Sequence, residues 1–373
     1  MKKIRALKQA NNIKKALTIL ALGALSISPA LAQQANFQPN DPQLQNCWHL
    51  GEMRVPQGWN VSSSGAPNLG RRNIAVIVDQ SVGSGNTDFR ILPSTFQQIN
   101  GYGRPATYDT TKMLTAGFAQ ADNGFATAGI APSARVQLYT VNPLKDEDRQ
   151  ADDAGLARAV DAARNNPHVR LIAVCVDRPT MKHDANSRVI PSDNYRLVSN
   201  PDRYPRFHDA AKRFYDAGGL LVVNTGATGG LPENTPRVPY MMSITGINQS
   251  HQYPAWSTGI GKNVWFALPG DGVFCSDEGG NVVQATTSKV ATTMAAGVFA
   301  LVWNANPQLT NIQVQDVVAR TATRLASPVT WTPDAYGYGI PNCEAACNLA
   351  TIYNLRLPPQ PRPFGLPSRR PLP

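Results

Sequence analysis

The stretch from Ala285 to Val298 constrains the fold more than any other. It reads ATTSKVATTMAAGV, follows a loop rich in glycine and acidic residues, and opens an apolar segment that runs to Ala305. Small residues dominate its first turns, and small side chains let a helix approach its neighbours closely within a packed core. The stretch therefore predicts a long buried helix that begins beside an open surface.

This stretch resembles the segment that carries the nucleophilic serine in subtilisin-like serine proteases, G-T-S-x-A-[ST]-P-x-V-A-G. When Ala296 and Gly297 are aligned with its last two letters, the family's serine falls on Lys289 and its threonine on Ser288. The resemblance implies an α/β fold of three layers, in which helices flank a mainly parallel central sheet of seven strands. It also implies a peptidase whose nucleophile is replaced here.

A continuous apolar run from Asn73 to Val78 ends in the acid Asp79. Such a run is typical of a buried parallel strand, and functional groups in open parallel sheets gather at the carboxyl ends of the strands. The run is similar to the family's V-I-D-[ST]-G segment. The resemblance places Asp79 at the position of the catalytic aspartate.

The predicted helix from Tyr108 to Gln120 resembles the family's H-G-T-H-V-A-G helix. Alignment on Ala116 and Gly117 places Thr111 at the catalytic histidine, and a slip of one residue places Thr110 there. The sequence contains no histidine between positions 49 and 168, so the general base is missing in either register.

Two further segments depart from the family pattern. The run from Thr225 to Gly229 resembles A-A-G-N-x-G, whose asparagine stabilises the oxyanion, and Ala227 occupies that position. The substrate-pocket wall S-L-G is replaced by residues 176–179, which read VDRP. A triad mechanism needs a hydroxyl, a base, an orienting acid and oxyanion donors. Of these the sequence keeps only the acid, which predicts an inactive protein.

Two alternatives stay open at this point. Ser288 could act as the nucleophile if the turn before the helix holds one extra residue, with Lys289 as its base. A histidine from elsewhere (His49, His183 or His251) could fold over the site. If neither holds, we expect Asp79 and Lys289 to form an ion pair, because a buried acid is rarely left unpaired.

The ends of the chain have their own compositions. Residues 1–32 carry basic residues, an apolar run and an Ala-Leu-Ala ending, which predicts a signal peptide and export to the periplasm or beyond. An irregular leader (33–64), a subtilisin-like domain (65–355) and a tail rich in proline and arginine (356–373) are expected to follow. The leader leaves no room for a folded prosegment.

The net charge of the chain bears on the class of partner, and its cysteines bear on disulfide formation. Six of the 35 basic residues precede position 16, so the remainder has 29 basic against 25 acidic residues and gives no indication of nucleic-acid binding. No later stretch is apolar enough to cross a membrane.

Export makes a disulfide plausible between Cys47 and either Cys343 or Cys347, whereas Cys175 is expected to be a free thiol in the core. No cofactor or metal site is predicted.

Together these features predict an exported, catalytically inactive protein with a subtilisin-like fold. It is expected to act as a binding or scaffold component whose partner is a protein or peptide. The alternative is an active serine endopeptidase with rearranged catalytic residues and Ser288 as its nucleophile. A third class, a glycan- or surface-binding module, has only aromatic residues in its favour, and Trp48, Trp256 and Trp331 are equally consistent with a core.

Overall fold

The apolar run that ends at Asp79 forms the central strand of the protein. In the computed structural model this strand, β1, comprises Asn73–Val78 and is buried after its first residue. The structure describes residues 37–62, 70, 72–79, 86, 88–91, 97–98, 108–141, 149–176, 182–183, 189–190, 201–226, 232–233, 235–254, 259–324 and 332–356. The predicted signal peptide and the tail beyond Arg356 lie outside the described residues.

The described strands are two to seven residues long. They are β1, β2 (Arg90–Ile91), β3 (Gln97–Gln98), β4 (Arg135–Thr140), β5 (Val169–Cys175), β6 (Lys182–His183), β7 (Val189–Ile190), β8 (Leu220–Asn224), β9 (Pro232–Glu233), β10 (Met242–Ile247), β11 (Ile260–Gly261), β12 (Val264–Pro269), β13 (Val273–Ser276) and β14 (Val282–Ala285).

The main sheet has the order β12-β10-β8-β5-β1-β4, and both β2 and β3 lie beyond β4 at one edge. All of its strand pairs are parallel. Because β2 and β3 pair with different residues of β4, they share one edge of the sheet, which contains eight strands. The hairpin β13–β14 is antiparallel and lies outside this sheet.

Helices pack on both faces of the sheet. They are α1 (Trp48–Glu52), α2 (Val55–Ser62), α3 (Tyr108–Phe118), α4 (Arg149–Arg164), α5 (Pro205–Asp216), α6 (Ser288–Ala305), α7 (Asn311–Thr321), α8 (Pro333–Tyr336) and α9 (Cys343–Arg356). Alternate residues of β1 belong to two separate apolar clusters, Val76 to one and Ile77 to the other. This alternation is what a strand covered on both faces requires, and it gives the predicted three layers.

Helix α6 is the buried helix that the first sequence stretch predicts. Every residue from Ser288 to Trp303 is buried. The helix is apolar on all sides, which is typical of a helix inside a core. It contacts α3 closely, because Gly117 leaves room for the backbone of Thr293, and the Thr293 hydroxyl donates to the carbonyl of Met113 at 2.6 Å.

The N-terminal leader differs from the expectation of an irregular segment. A 3₁₀ turn (Leu44–Asn46) precedes α1 and α2, and Trp59 on α2 is fully buried with its ring nitrogen donating to the carbonyl of Ile130. The polar composition of residues 33–64 led to the expectation of an irregular segment and did not predict these helices. Their apolar residues supply the stabilisation, because burying each large side chain contributes about 1.5–3 kcal/mol.

The predicted disulfide is absent, since all five cysteines are buried free thiols. The N-terminal segment is held to α9 by packing instead: a β-carbon on Gly58 would lie 2.7 Å from that of Cys343, and the Cys343 amide donates to the carbonyl of Met53. Burial raises the pKa of the Cys47 and Cys347 thiols to about 12, which makes both unreactive. Cys175 is the buried core thiol that was expected.

Gly129 is expected to tolerate no side chain. A β-carbon there would lie 2.4 Å from the backbone nitrogens of Phe118 and Ala119, so Gly129→Ala forces the backbone apart. We predict a loss of about 1–3 kcal/mol in the free energy of unfolding. Gly51→Ala is the matched control, because its β-carbon would meet nothing within 4 Å and helical alanine is preferred by about 0.5–1 kcal/mol. Urea denaturation of both variants tests this, and equal effects would contradict it.

Among the residues that the structure describes, no helix is both long enough and apolar enough to cross a membrane.

Candidate functional site

Asp79 follows β1 at the carboxyl edge of the sheet. Strands β4 and β5 flank β1 on opposite sides, so the order of strands reverses there. Ligands of open α/β sheets bind at such switch points. The Asp79 side chain is nevertheless only 5% exposed. The carboxylate thus lies where functional groups gather, but under a cover of protein.

Lys289 reaches Asp79 from the first turn of α6. The Thr287 hydroxyl caps this helix by accepting from the Lys289 amide at 3.3 Å. The Lys289 Nζ lies 3.5 Å from Asp79 Oδ1, and its side chain is 6% exposed. This confirms the predicted ion pair. A cation is unfavourable at the N-terminus of a helix, so the carboxylate offsets both the lysine charge and the helix dipole.

The two hydroxyls expected near this pair are buried and isolated. Thr111 on α3 and Ser288 at the start of α6 are at most 1% exposed. Neither hydroxyl oxygen has a hydrogen-bond partner among the described residues. A nucleophilic hydroxyl needs a base within about 2.6–3.2 Å, and the described residues provide none for Ser288. Thr110, the residue for the shifted register, is buried as well.

The structure describes the side chains of two of the three histidines considered as substitutes, His49 and His251. His49 is fully buried in α1, where burial lowers its pKa to about 3 and its ring nitrogens have no partner among the described residues. His251 lies 3.1 Å from Glu52. His183 lies in β6, away from the main sheet. Neither His49 nor His251 forms a hydrogen bond to the Ser288 hydroxyl, and the side chain of His183 is outside the part of the chain that the structure describes.

Other predicted site residues are only partly described. Ala227 and residues 177–181, which include most of the altered pocket wall, lie outside the described residues. Asn224, three residues before Ala227, is buried at the end of β8 and accepts a hydrogen bond from the Val176 amide at 3.3 Å. Its amide oxygen therefore links the ends of β8 and β5. This link could not be predicted from the sequence, since it depends on the order of strands in the sheet.

A pair of buried carboxylates lies beside the loop after α3. Asp88 accepts from Asn123 at 2.8 Å, and Asp41 accepts from the amide of Asp122 at 2.8 Å. Asp88 Oδ2 and Asp41 Oδ1 have no hydrogen-bond partner among the described residues. Burial raises the pKa of Asp88 to about 7, with a further contribution from the charge of Asp41. No group of three or more metal-ligating side chains occurs in the described part of the chain.

The raised pKa of Asp88 predicts a pH-dependent stability. The ordinary value is 3.8 and the folded value about 7, so between these the folded protein holds a proton that the unfolded chain has released. The free energy of unfolding therefore falls as pH rises from about 4 to about 7, by on the order of 1–4 kcal/mol. Asp88→Asn is expected to remove this loss, so its melting temperature relative to wild type rises between pH 4 and pH 8.

The measurement is differential scanning calorimetry in EDTA, which removes any effect of bound cations. Asp209→Asn, at an exposed aspartate of α5, is the control and should keep the wild-type pH dependence. The same pH dependence in Asp88→Asn as in wild type would show that Asp88 does not carry it.

The chain is similar to known proteins over most of its length. A family model described as "Subtilase family" matches residues 113–339, a range that includes Lys289 but begins after Asp79 and Thr111. The chain is 26% identical over 304 residues to "Minor extracellular protease Epr" of Bacillus subtilis, covering 79% of this chain but only 40% of that protein. It is also 26% identical over 316 residues to "Thermostable alkaline protease" of Halalkalibacterium halodurans, covering 80% of this chain and 76% of that protein.

Solved structures resemble the fold. The crystal structure of MycP1 from Mycobacterium smegmatis superposes with a TM-score of 0.61 at 16% identity, covering 87% of this chain and 88% of that one. The structure of MycP1 with its N-terminal propeptide removed gives a TM-score of 0.58 at 18% identity. At these identities the likeness concerns the fold alone.

Proposed function

The chain belongs to the subtilase family, and from that premise we propose that it is a catalytically inactive member. In this proposal it is exported and binds a protein or peptide as a binding or scaffold component. In this proposal the residues at the former catalytic positions contribute to stability, and the partner binds at the protein surface.

The observation that carries the proposal is the buried contact between Lys289 Nζ and Asp79 Oδ1 at 3.5 Å. By resemblance, these residues stand at the positions of the nucleophile and of the orienting acid. A neighbouring carboxylate favours the charged form of an amine, and an ammonium group has no lone pair with which to accept a proton. Lys289 is therefore a poor base for Ser288, its neighbour in sequence.

The geometry of α6 also disfavours Ser288 as a nucleophile. Successive helical residues point about 100° apart, so Lys289 and Ser288 face different sides. The serine hydroxyl is buried and has no base among the described residues. Loss of a triad residue costs a factor of about 10⁶ in kcat. Residual hydrolysis is thus expected to be undetectable.

Export is supported by the basic and apolar composition of residues 1–32. It also agrees with the name of one relative, which is described as a minor extracellular protease. A protein or peptide partner is the class we favour, because the family's frame is built around a peptide-binding edge. The altered residues 177–179 argue that any partner binds differently from a substrate.

A casein-hydrolysis assay tests the proposal. Wild-type protein and Ser288→Ala are expected to release peptides at the same rate as buffer alone. A matched variant, Ser250→Ala, changes an exposed serine elsewhere and should behave identically. Hydrolysis by wild type and Ser250→Ala that is lost in Ser288→Ala would contradict the proposal and favour the alternative of a rearranged serine endopeptidase.

A further inference from the structure

We propose that a cleft beside the start of α6 binds an uncharged saccharide. The cleft has a volume of about 380 Å³, within the range of small-ligand sites. It lies between the N-terminal segment, the loop after β10 and the hairpin β13–β14. It uses none of the residues at the catalytic positions, so the inference goes beyond the proposed function and adds a ligand of a different class.

Two aromatic side chains line the cleft. Trp48 belongs to α1 and Phe274 to β13, and both are partly exposed. The Trp48 ring nitrogen donates to the carbonyl of Gly272 at 3.0 Å, which fixes the orientation of the indole. Fixed rings of this kind offer an apolar surface beside polar groups. The C–H face of a sugar ring presents the matching apolar surface.

The remaining lining is polar. Gln249 and Gln284 are exposed, and neither amide side chain makes a hydrogen bond to a described residue. Asp271 accepts from the Thr286 hydroxyl at 2.6 Å, which holds its carboxylate in place. Amides donate and accept, and carboxylates accept. Sugar hydroxyls do both, so this set complements them.

Among its described residues, the lining of the cleft carries no positive side chain, which disfavours anionic ligands. Lysine and arginine are absent from the cleft residues that the structure describes. Phosphate and carboxylate groups are commonly recognised by such cations, and the Asp271 carboxylate in the lining repels both groups. A neutral polar ligand fits the lining better than a nucleotide or an acidic peptide.

The loop after β10 is held in a strained shape at the edge of the cleft. His251 has a φ of 62°, a left-handed backbone conformation that is unfavourable for a residue other than glycine. Its ring lies 3.1 Å from Glu52 on α1, and the Asn248 side chain accepts from the amides of Ser250 and Gln252 at 2.9 Å. These contacts join α1 to the loop and fix the cleft before any ligand arrives.

Isothermal titration calorimetry of the full chain tests the inference with three neutral trisaccharides: chitotriose, cellotriose and maltotriose. The chitotriose is the N,N′,N″-triacetylated form, which carries no charge. We expect saturable binding of at least one of the three sugars, and a loss of affinity of about tenfold in each of Gln249→Ala and Gln284→Ala. Gln308→Ala, at an exposed glutamine outside the cleft, should bind as wild type does. We also expect sugar binding beside Trp48 to change the tryptophan fluorescence of the protein. Trp48→Phe is expected to abolish this change.

Two results would overturn the inference. One is the absence of saturation by all three sugars up to about 10 mM, well above the range of weak specific binding. The other is binding that Gln249→Ala and Gln284→Ala leave unchanged. Neither result bears on hydrolysis, so failure of the cleft and failure of the proposed inactivity are distinguishable.

Discussion

Replacing Lys289 with methionine is expected to lower the free energy of unfolding by about 3–5 kcal/mol. The substitution keeps the apolar stem of the side chain and removes the ammonium group that lies 3.5 Å from Asp79. The buried Asp79 carboxylate then loses the ion pair that offsets much of its desolvation. Asp79→Asn is expected to be similarly costly, because it leaves the lysine charge buried.

The double variant Asp79→Leu/Lys289→Met removes both charges, so it distinguishes the loss of the ion pair from the cost of leaving one charge buried. Replacing a buried ion pair with apolar residues is often neutral or stabilising, so we expect this variant to recover most of the loss. Lys212→Met is the matched control, because Lys212 and Asp216 form an exposed pair at 2.6 Å. Such exposed pairs contribute little to stability, because solvent screens both charges. Urea unfolding followed by circular dichroism measures all four variants, and equal losses at Lys289 and Lys212 would contradict the account.

Rebuilding the triad is expected to have the largest effect on chemistry. In Lys289→Ser the serine returns without a base, and Asp79 loses its ion pair with the lysine, so we expect neither reactivity nor full stability. Adding Thr111→His supplies both a base and a new partner for Asp79. A complete triad contributes a factor of about 10⁶, so reactivity toward a fluorophosphonate is expected in Thr111→His/Lys289→Ser alone.

The readouts for this prediction are probe labelling and thermal melting of the two variants beside wild type. The melting temperature is expected to fall in Lys289→Ser and to recover in part when Thr111→His is added. Labelling of Lys289→Ser alone, or a double variant that melts lower than the single one and stays unlabelled, would show that these positions do not form the triad frame.

The main elements of the fold could be predicted because each is encoded by one continuous stretch of sequence, and these stretches follow one another in the order expected for the family. The apolar run before Asp79 and the small-residue stretch after Ala285 each define one buried element. Their resemblance to one family placed both elements at the same edge of the sheet. The Asp79–Lys289 contact follows from that placement together with the need to pair a buried acid.

Other features depend on contacts that sequence order does not indicate. The polar composition of the leader outweighed the apolar residues of α1 and α2, although Leu50, Met53 and Trp59 are all buried. The expectation of a disulfide rested on export and spacing, whereas close packing of Gly58 against Cys343 holds the same segments together. The cleft could not be foreseen, since Trp48, Gln249 and Gln284 come from three distant segments.

The most direct test of catalytic inactivity is labelling of the purified wild-type protein with a fluorophosphonate probe. Ser288→Ala serves as the comparison, and an active subtilisin serves as the positive control. The account predicts that folded wild-type protein and Ser288→Ala both remain unlabelled while the control is labelled. Labelling of wild type that disappears in Ser288→Ala would identify a live nucleophile and contradict the account.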